Sequence, residues 1–246
     1  MKHLLIALLF AQVLFAHNGF EKGNALYRNE KYAEAASAYE SVLKENKQSA
    51  ELYFNLANAY YKQNKVAPAI YNYEKALLLK PNDPEITNNL NFAHKMMIDE
   101  IKEVPRVGFR KIIEDVTSSM SYDGWAWTAV VLAFSFLLFF CGYYFSGIAL
   151  YKRIFFVGMF VIAFAILICT ISALFERDRE KNDRPAIVFE QSAPVKSEPK
   201  SSGADATVLH EGTKVYVLET LDNWKKVVLP DGSQGWMEVT SIKEIK

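Results

Sequence analysis

The side chains of this 246-residue sequence that are best suited to a chemical role are amides, aromatic rings and cations on one helix face. They form two matched sets, because residues three and four apart lie on the same face of a helix. The first set is Phe20, Asn24, Tyr27 and Arg28, and the second is Phe54, Asn58, Tyr61 and Lys62. Amides exchange hydrogen bonds and aromatic rings stack, so both sets indicate ligand binding rather than covalent catalysis.

No group of residues indicates catalysis. The sequence has no G-x-x-x-x-G-K-[ST], H-E-x-x-H or G-x-S-x-G motif, and its four histidines are scattered. Both cysteines, Cys141 and Cys169, lie in long apolar segments, which leaves the polar segments without thiol chemistry. We therefore expect no enzyme activity, no cofactor and no metal site. The formal net charge of zero gives no reason to expect nucleic acid as a partner.

The two sets belong to an internal repeat. Corresponding residues of the two repeats are always separated by the same number of positions, which is the distance from Phe20 to Phe54. Nine identities carry it: Phe20/Phe54, Asn24/Asn58, Ala25/Ala59, Tyr27/Tyr61, Lys31/Lys65, Ala35/Ala69, Tyr39/Tyr73, Glu40/Glu74 and Leu43/Leu77. The pattern resembles the tetratricopeptide repeat, with small residues where helices cross and tyrosines between them. A third helix, from Pro84 to about Ile101, would cap the stack. Two repeats and a cap lie at the lower limit for a solenoid, so we expect a neighbouring segment or the membrane to stabilise them.

This resemblance implies a concave groove that binds a peptide. The candidate partner-binding residues are Phe20, Asn24, Tyr27, Phe54, Asn55, Asn58, Tyr61 and Lys62. Some family members clamp a terminal carboxylate between two Asn and several basic residues. Asn24 and Asn55 match the amides, but Phe20, Glu85 and Asn89 occupy the basic positions. The sequence therefore favours an internal segment as the ligand. The alternative, that Phe20 and Phe54 only fill the packing between repeats, stays open.

Two uncharged apolar segments, residues 125–145 and 154–175, predict a transmembrane hairpin. Each has the length that a helix needs to cross a hydrocarbon core of about 30 Å. The short polar segment between them holds no domain, so both flanking regions would lie on the same side. The alternative is a buried helical pair in a soluble protein.

The N-terminal segment, residues 1–16, predicts a secretory signal peptide, since Lys2 precedes a short apolar run that ends in Ala16. This places both flanks outside the inner membrane. Lys152 and Arg153 suit an inner position for the connecting segment, but Arg177 and Arg179 after the second span conflict with that orientation. Before the hairpin, Phe109, Ile112, Ile113 and Val116 form an apolar helical stripe. It predicts a short helix that lies on the bilayer or, as an equal alternative, docks on the repeats.

The segment after the hairpin resembles a bacterial SH3-like domain. The resemblance rests on the motifs LHEGTKV, W-x-KV-x-LPDG and GW. Residues 186–189, 206–217, 223–229 and 234–238 would be strands, and the Pro- and Ser-rich residues 190–204 a loop. Trp224 and Trp236 would contribute to the core of a small barrel, and His210 would be a surface residue.

The predicted fold is a multi-domain membrane protein with an α-helical tetratricopeptide solenoid, a two-helix transmembrane hairpin and a small all-β SH3-like barrel. Its segments are 1–16 signal peptide, 17–101 repeats with the capping helix, 102–124 juxtamembrane segment, 125–145 first span, 146–153 cytoplasmic elbow, 154–175 second span, 176–185 charged linker and 186–246 SH3-like domain.

This order of segments resembles the BatE family of the Bacteroides aerotolerance (Bat) operons. The resemblance implies a non-enzymatic scaffold at the inner membrane, with its soluble domains on the periplasmic side. It also implies partners with von Willebrand factor A domains and, indirectly, a MoxR-type ATPase. A second hypothesis is a membrane-anchored module that binds peptidoglycan through the SH3-like domain. A third is that the hairpin recruits other membrane helices through Ala129 and Ala133.

Overall fold

The structure is a computed structural model that describes residues 19–101 and 108–246. The predicted signal peptide therefore lies outside the described residues. The described chain forms two compact units. One contains residues 19–101 together with Arg184–Lys246, and the other contains residues 108–183.

The repeats are five helices, α1 to α5. They are α1 (19–28), α2 (Tyr32–Lys44), α3 (Ala50–Lys62), α4 (Val66–Leu79) and α5 (Pro84–His94). Ser49 begins α3 by accepting the Leu52 N–H at 3.1 Å, and Asp83 begins α5 in the same way. Glu30 and Asn64, which occupy equivalent positions in the two repeats, both adopt the left-handed conformation that ends a helix. The capping helix is shorter than predicted, because α5 ends at His94.

The small residues of the repeat pattern allow close helix packing. A Cβ atom on Gly23 would lie 2.4 Å from the ring of Tyr39, so this ring packs directly on the backbone of α1. Ala57, the matching residue in the second repeat, is fully buried. Residues that correspond in the sequences of the two repeats therefore also occupy corresponding positions in the packing of the helices.

The C-terminal segment forms a seven-stranded antiparallel sheet. The strands are β1 (Pro185–Val188), β2 (Ser192–Lys196), β3 (Asp205–His210), β4 (Lys214–Leu221), β5 (Trp224–Val228), β6 (Gln234–Glu238) and β7 (Ile242–Glu244). Their spatial order is β3-β2-β6-β5-β4-β1-β7. Across the described residues the edge strands β3 and β7 do not pair, so the sheet is open where the sequence predicted a small SH3-like barrel. Strand β2 lies in the segment predicted to be a loop.

The two tryptophans of the sheet lie outside its core, contrary to the prediction. Strand pairing joins Val227 to Gly235 and Lys226 to Trp236. Since side chains alternate between the two faces of a strand, the buried Val227 and Met237 fix the inner face. Trp224 and Trp236 then point to the other face, where both are half-buried.

The sheet packs against the repeats and shares their hydrophobic core. In β1, Ala186 and Val188 belong to the core of the sheet, while Ile187 joins the repeat core with Ile245. Strand β1 is therefore buried on both faces. The sequence led us to expect that a neighbouring segment or the membrane would stabilise the short solenoid, and the sheet is such a neighbour.

Polar contacts align this interface. The Asp99 carboxylate accepts hydrogen bonds from the His210 N–H and the Thr213 hydroxyl, both at 2.6 Å, and lies 2.7 Å from His210 Nδ1. Lys214 pairs with Glu74 at 2.8 Å. Between them, the turn residue Gly212 lies so close to α4 that an added Cβ would be 2.9 Å from Val66 Cγ1.

The second unit contains helices α6 (Phe109–Thr117), α7 (Tyr122–Phe145) and α8 (Ala149–Asn182). Helices α7 and α8 are antiparallel, and the glycines Gly142 and Gly158 admit the rings of Phe155 and Phe139. Both helices are longer than the predicted spans. Only residues 146–148 separate them. Helix α8 continues into the predicted charged linker as far as Asn182, and there Arg179 pairs with Glu176 one turn away.

Helices α7 and α8 are long and apolar enough to cross a membrane. Within the described chain, none of the apolar stretch of α7 and 11% of that of α8 is buried. This differs from the buried helical pair of a soluble protein, whose apolar residues the rest of the chain would cover.

Candidate functional site

The candidate groove is built on two hydrogen-bonded triads, which are related by the repeat offset and each join three consecutive helices. In the first, Asn24 Oδ1 accepts hydrogen bonds from the Tyr39 hydroxyl at 2.7 Å and from Asn55 Nδ2 at 3.0 Å. The second triad has the same bonds. There, Asn58 Oδ1 accepts from the Tyr73 hydroxyl at 2.6 Å and from Asn89 Nδ2 at 2.9 Å. The asparagines are supplied by α1, α3 and α5, and the tyrosines by α2 and α4.

Buried tyrosines hold each triad in place. Tyr39 and Tyr73 are each 1% exposed, and their hydroxyl groups donate to Asn24 and Asn58. Burial raises the pKa of Tyr39 to about 12, with a smaller contribution from Tyr27. Burial also raises the pKa of Tyr73. Both phenols therefore keep their protons at neutral pH and act as fixed hydrogen-bond donors.

Each triad also presents unused hydrogen-bonding atoms. Within the described residues, no protein group bonds Nδ2 of Asn24 or Asn58, or Oδ1 of Asn55 or Asn89. None of these atoms is a buried orphan in the described structure. One donor and one acceptor per triad match the N–H and C=O groups of a peptide backbone.

The triads border two adjacent hollows. The first, of about 190 Å³, is lined by Asn24, Tyr27, Arg28, Tyr39, Asn55 and Asn58. The second, of about 210 Å³, is lined by Tyr27, Asn58, Tyr61, Lys62, Tyr73, Asn89 and Phe92. Tyr27 and Asn58 line both, so the hollows form one groove. Among these lining residues the charged ones are Arg28 and Lys62, which gives the groove a cationic rim.

Six of the eight candidate residues line this groove: Asn24, Tyr27, Asn55, Asn58, Tyr61 and Lys62. Phe20 and Phe54 line neither hollow. Their rings pack against Tyr39 and Tyr73, with centroids 5.9 and 6.0 Å apart. Both phenylalanines are half-buried, and their contacts support the tyrosines that hold the triads.

Five lining residues are not among the eight candidates. One is Arg28, which the sequence placed on the same helix face as Asn24, and the other four were missed. The repeat offset could have found Asn89, which lies one repeat after Asn55, and the paired tyrosines Tyr39 and Tyr73. Phe92 has no such signal, because Asn58 is its counterpart. Its ring lies under the ammonium group of Lys95, 5.0 Å from the ring centroid.

Comparison with known proteins agrees with the geometry of the repeats. A sequence model of the tetratricopeptide repeat family matches residues 20–84. These residues contain both tyrosines of the triads and all of their asparagines except Asn89. No curated protein matches the chain. In the described part of the chain, no three His, Cys, Asp or Glu side chains come together to form a metal site.

Proposed function

We propose that this chain is a non-enzymatic, membrane-anchored scaffold whose repeat groove binds an extended segment of a partner protein. Tetratricopeptide repeats are associated with protein–protein interaction, and the repeated triad carries the proposal. It presents a donor and an acceptor at equivalent places in two successive repeats, and an extended backbone can use both. The rim cations Arg28 and Lys62 favour acidic side chains in that segment.

The resemblance to the BatE family supports a more specific form of this proposal. The partners would be membrane proteins with von Willebrand factor A domains, in a complex linked to oxygen tolerance and envelope stress. The hairpin would cross the inner membrane, with the repeats and the sheet on the periplasmic side. The shared core supports two crossings, since the segments before and after the hairpin must lie on the same side to pack together.

A pull-down tests the groove. We would recover the tagged full chain from native membranes in mild detergent and identify the co-purified proteins by mass spectrometry. The test variant is Arg28→Glu/Lys62→Glu, and the control is Lys44→Glu, an exposed charge reversal on α2. We expect the test variant to lose a stoichiometric partner that the control keeps. Retention by both variants would contradict the groove, and the identity of the partner tests the Bat assignment separately.

A second candidate function is peptidoglycan binding by the sheet, which we propose as a divergent SH3-like fold. The favouring observation is that Trp224 and Trp236 lie on one face beside Lys226, where their rings can contact a ligand. The full chain should then co-sediment with purified sacculi, and Trp224→Ala/Trp236→Ala should abolish this. Wild-type protein that stays in the supernatant would eliminate this function. The full chain is needed because an isolated sheet would expose Ile187 and Ile245.

A further inference from the structure

Helix α6 carries an apolar stripe that the described structure leaves uncovered. Ile112 is 59% exposed and Val116 is 47% exposed, and Ile113 lies beside them with 39% exposure. Lys111, on the opposite side of the helix, is also exposed, as is Asp115 at the edge of the stripe beside Ile112. A helix with one apolar and one charged face needs an apolar surface to cover the first.

Helix α6 is held against the hairpin by its C-terminal end. It packs against α8, and its last carbonyl, that of Thr117, accepts a hydrogen bond from Trp125 Nε1 at 2.8 Å. This bond satisfies one of the carbonyls that a helix leaves unpaired at its end. Thr117 itself is 4% exposed. The Thr117 side of α6 thus faces the hairpin, and Ile112 and Val116 do not.

The pairing of residues between α7 and α8 shows how far along the hairpin the contact with α6 lies. Gly142 lies against Phe155 and Gly158 against Phe139, so the two helices run antiparallel with a fixed pairing. Continuing the same register places Trp125 beside Ser172, which is 3% exposed. The uncharged stretch of α8 ends at Phe175, one turn further on, and Glu176 begins the charged end of the helix. Helix α6 therefore lies where the apolar surface of the hairpin gives way to charge.

We propose that α6 is a second membrane contact, in which Ile112, Ile113 and Val116 enter the boundary between lipid headgroups and acyl chains. The proposal rests on the proposed membrane crossing by α7 and α8. The occupant of the stripe is lipid because α6 packs against α8 at the end of the hairpin's apolar surface, where Leu174 and Phe175 are exposed. A bilayer that covers the apolar surface of the hairpin therefore contacts α6 at the headgroup region of the bilayer.

The charge of α6 indicates which lipids it needs. Arg110 and Lys111 are balanced by Glu114 and Asp115, so the helix has no net charge from its side chains. Attraction to anionic headgroups therefore contributes little, and the link to α7 through Trp125 keeps α6 at the surface. The contact should form equally well in vesicles with and without phosphatidylglycerol.

Spin labelling of the full chain tests the proposal. Cys141→Ser and Cys169→Ala remove the native thiols, and single cysteines then replace Lys111, Ile112, Asp115 or Val116 for labelling in phosphatidylethanolamine–phosphatidylglycerol vesicles. Oxygen concentrates in lipid and a nickel chelate in water. We expect labels at 112 and 116 to favour oxygen at least threefold over the label at 111, and the label at 115, at the edge of the stripe, to lie between them.

A label that replaces Val131, an exposed residue in the middle of α7, separates the two proposals. If Val131 reports lipid while positions 112 and 116 favour the nickel chelate, the surface contact is wrong and the crossing stands. If positions 112 and 116 are inaccessible to both reagents, protein covers the stripe and the proposal is again wrong. A water-exposed Val131 would overturn both.

Discussion

The stack of repeats has two working faces, the groove and the face covered by the sheet, and α5 takes part in both. In the groove, its Asn89 and Phe92 are half-buried and exposed, respectively, and Asn89 keeps an unused amide oxygen. At the covered face, Leu90 and Ala93 of α5 share a hydrophobic core with Ile187 of β1. The segment after α5 brings Asp99 to the sheet, where both carboxylate oxygens have partners.

The two faces differ in how fully their polar atoms are bonded, and this difference separates a permanent intramolecular contact from a ligand-binding site. The covered face is closely packed, both oxygens of Asp99 have partners and Lys214 pairs with Glu74, as in a protein interior. The groove has hollows and spare donors and acceptors on a rigid frame of buried tyrosines. We infer that the sheet belongs to the folded solenoid, while the groove is free for a partner.

The largest expected effect is that of crowding the covered face at Gly212. Gly212→Val would place a side chain against Val66 and Ile70, in a backbone with φ of 90°. Overpacking and backbone strain together should lower the free energy of unfolding of this unit by about 3 kcal/mol. Hydrogen exchange of the β1 amides measures the change.

The matched control is Gly232→Val. Gly232 has a similar φ of 84°, but no atom within 4 Å of an added Cβ. It should cost only the backbone strain, about 1–2 kcal/mol, and should leave β1 protected. Equal losses in the two variants would show that the contact with α4 contributes nothing.

Asp99→Asn should have the next largest effect. The amide keeps the shape of the side chain but has one acceptor oxygen instead of two, and it loses the charge. Asp99 is largely buried, and we expect a loss of about 2 kcal/mol in the free energy of unfolding. Urea titration of hydrogen exchange in β1 and β4 measures it. Asp231→Asn is the control. Within the described residues the Asp231 carboxylate bonds Ser233 alone, in an exposed turn, and β1 should be unaffected.

Acid should weaken the covered face in two steps. Burial, together with the charge of Lys214, holds the pKa of His94 below its ordinary 6.5, although Glu74 opposes the shift. The unfolded chain therefore takes up this proton first, and the stability present above pH 6.5 is lost as the pH falls toward the folded pKa.

The second step belongs to Asp99. Burial raises its pKa, but hydrogen bonds from Thr213 and His210 outweigh this and hold the pKa below 3.8. Its contribution is present above pH 3.8 and is lost below it. Urea midpoints for the exchange of β1 amides between pH 7.5 and 3 should show both steps. His94→Gln should remove only the first, and an unchanged first step in that variant would contradict the assignment.

The groove could be predicted from the sequence because its determinants recur locally. Asn24 and Asn58, or Tyr39 and Tyr73, are related by one offset, and helix periodicity places each on a known face. The hairpin was predictable for a similar reason, since length and lack of charge are properties of a continuous segment.

The covered face could not be predicted, because no spacing relates its parts. Asp99 and His210 are 111 residues apart, and a lone histidine before a turn gives no sign of a buried partner. Strand β2 was missed because only Ala193 and Val195 face inward, within a Pro- and Ser-rich segment. The tryptophans were assigned to the core by size, whereas the register of β5 and β6 decides their side.

The smallest expected effect compares the two triads. Asn55→Ala and Asn89→Ala each remove one neutral hydrogen bond, of 3.0 and 2.9 Å, and each should lower the free energy of unfolding by about 1 kcal/mol. Hydrogen exchange in α3 and α5 measures the loss, with the exposed Asn91→Ala as the control. Because the faces differ in role, the loss from Asn89→Ala should stay within the repeats. If it also exposes the β1 amides to exchange, α5 couples the groove to the sheet and the two faces are not independent.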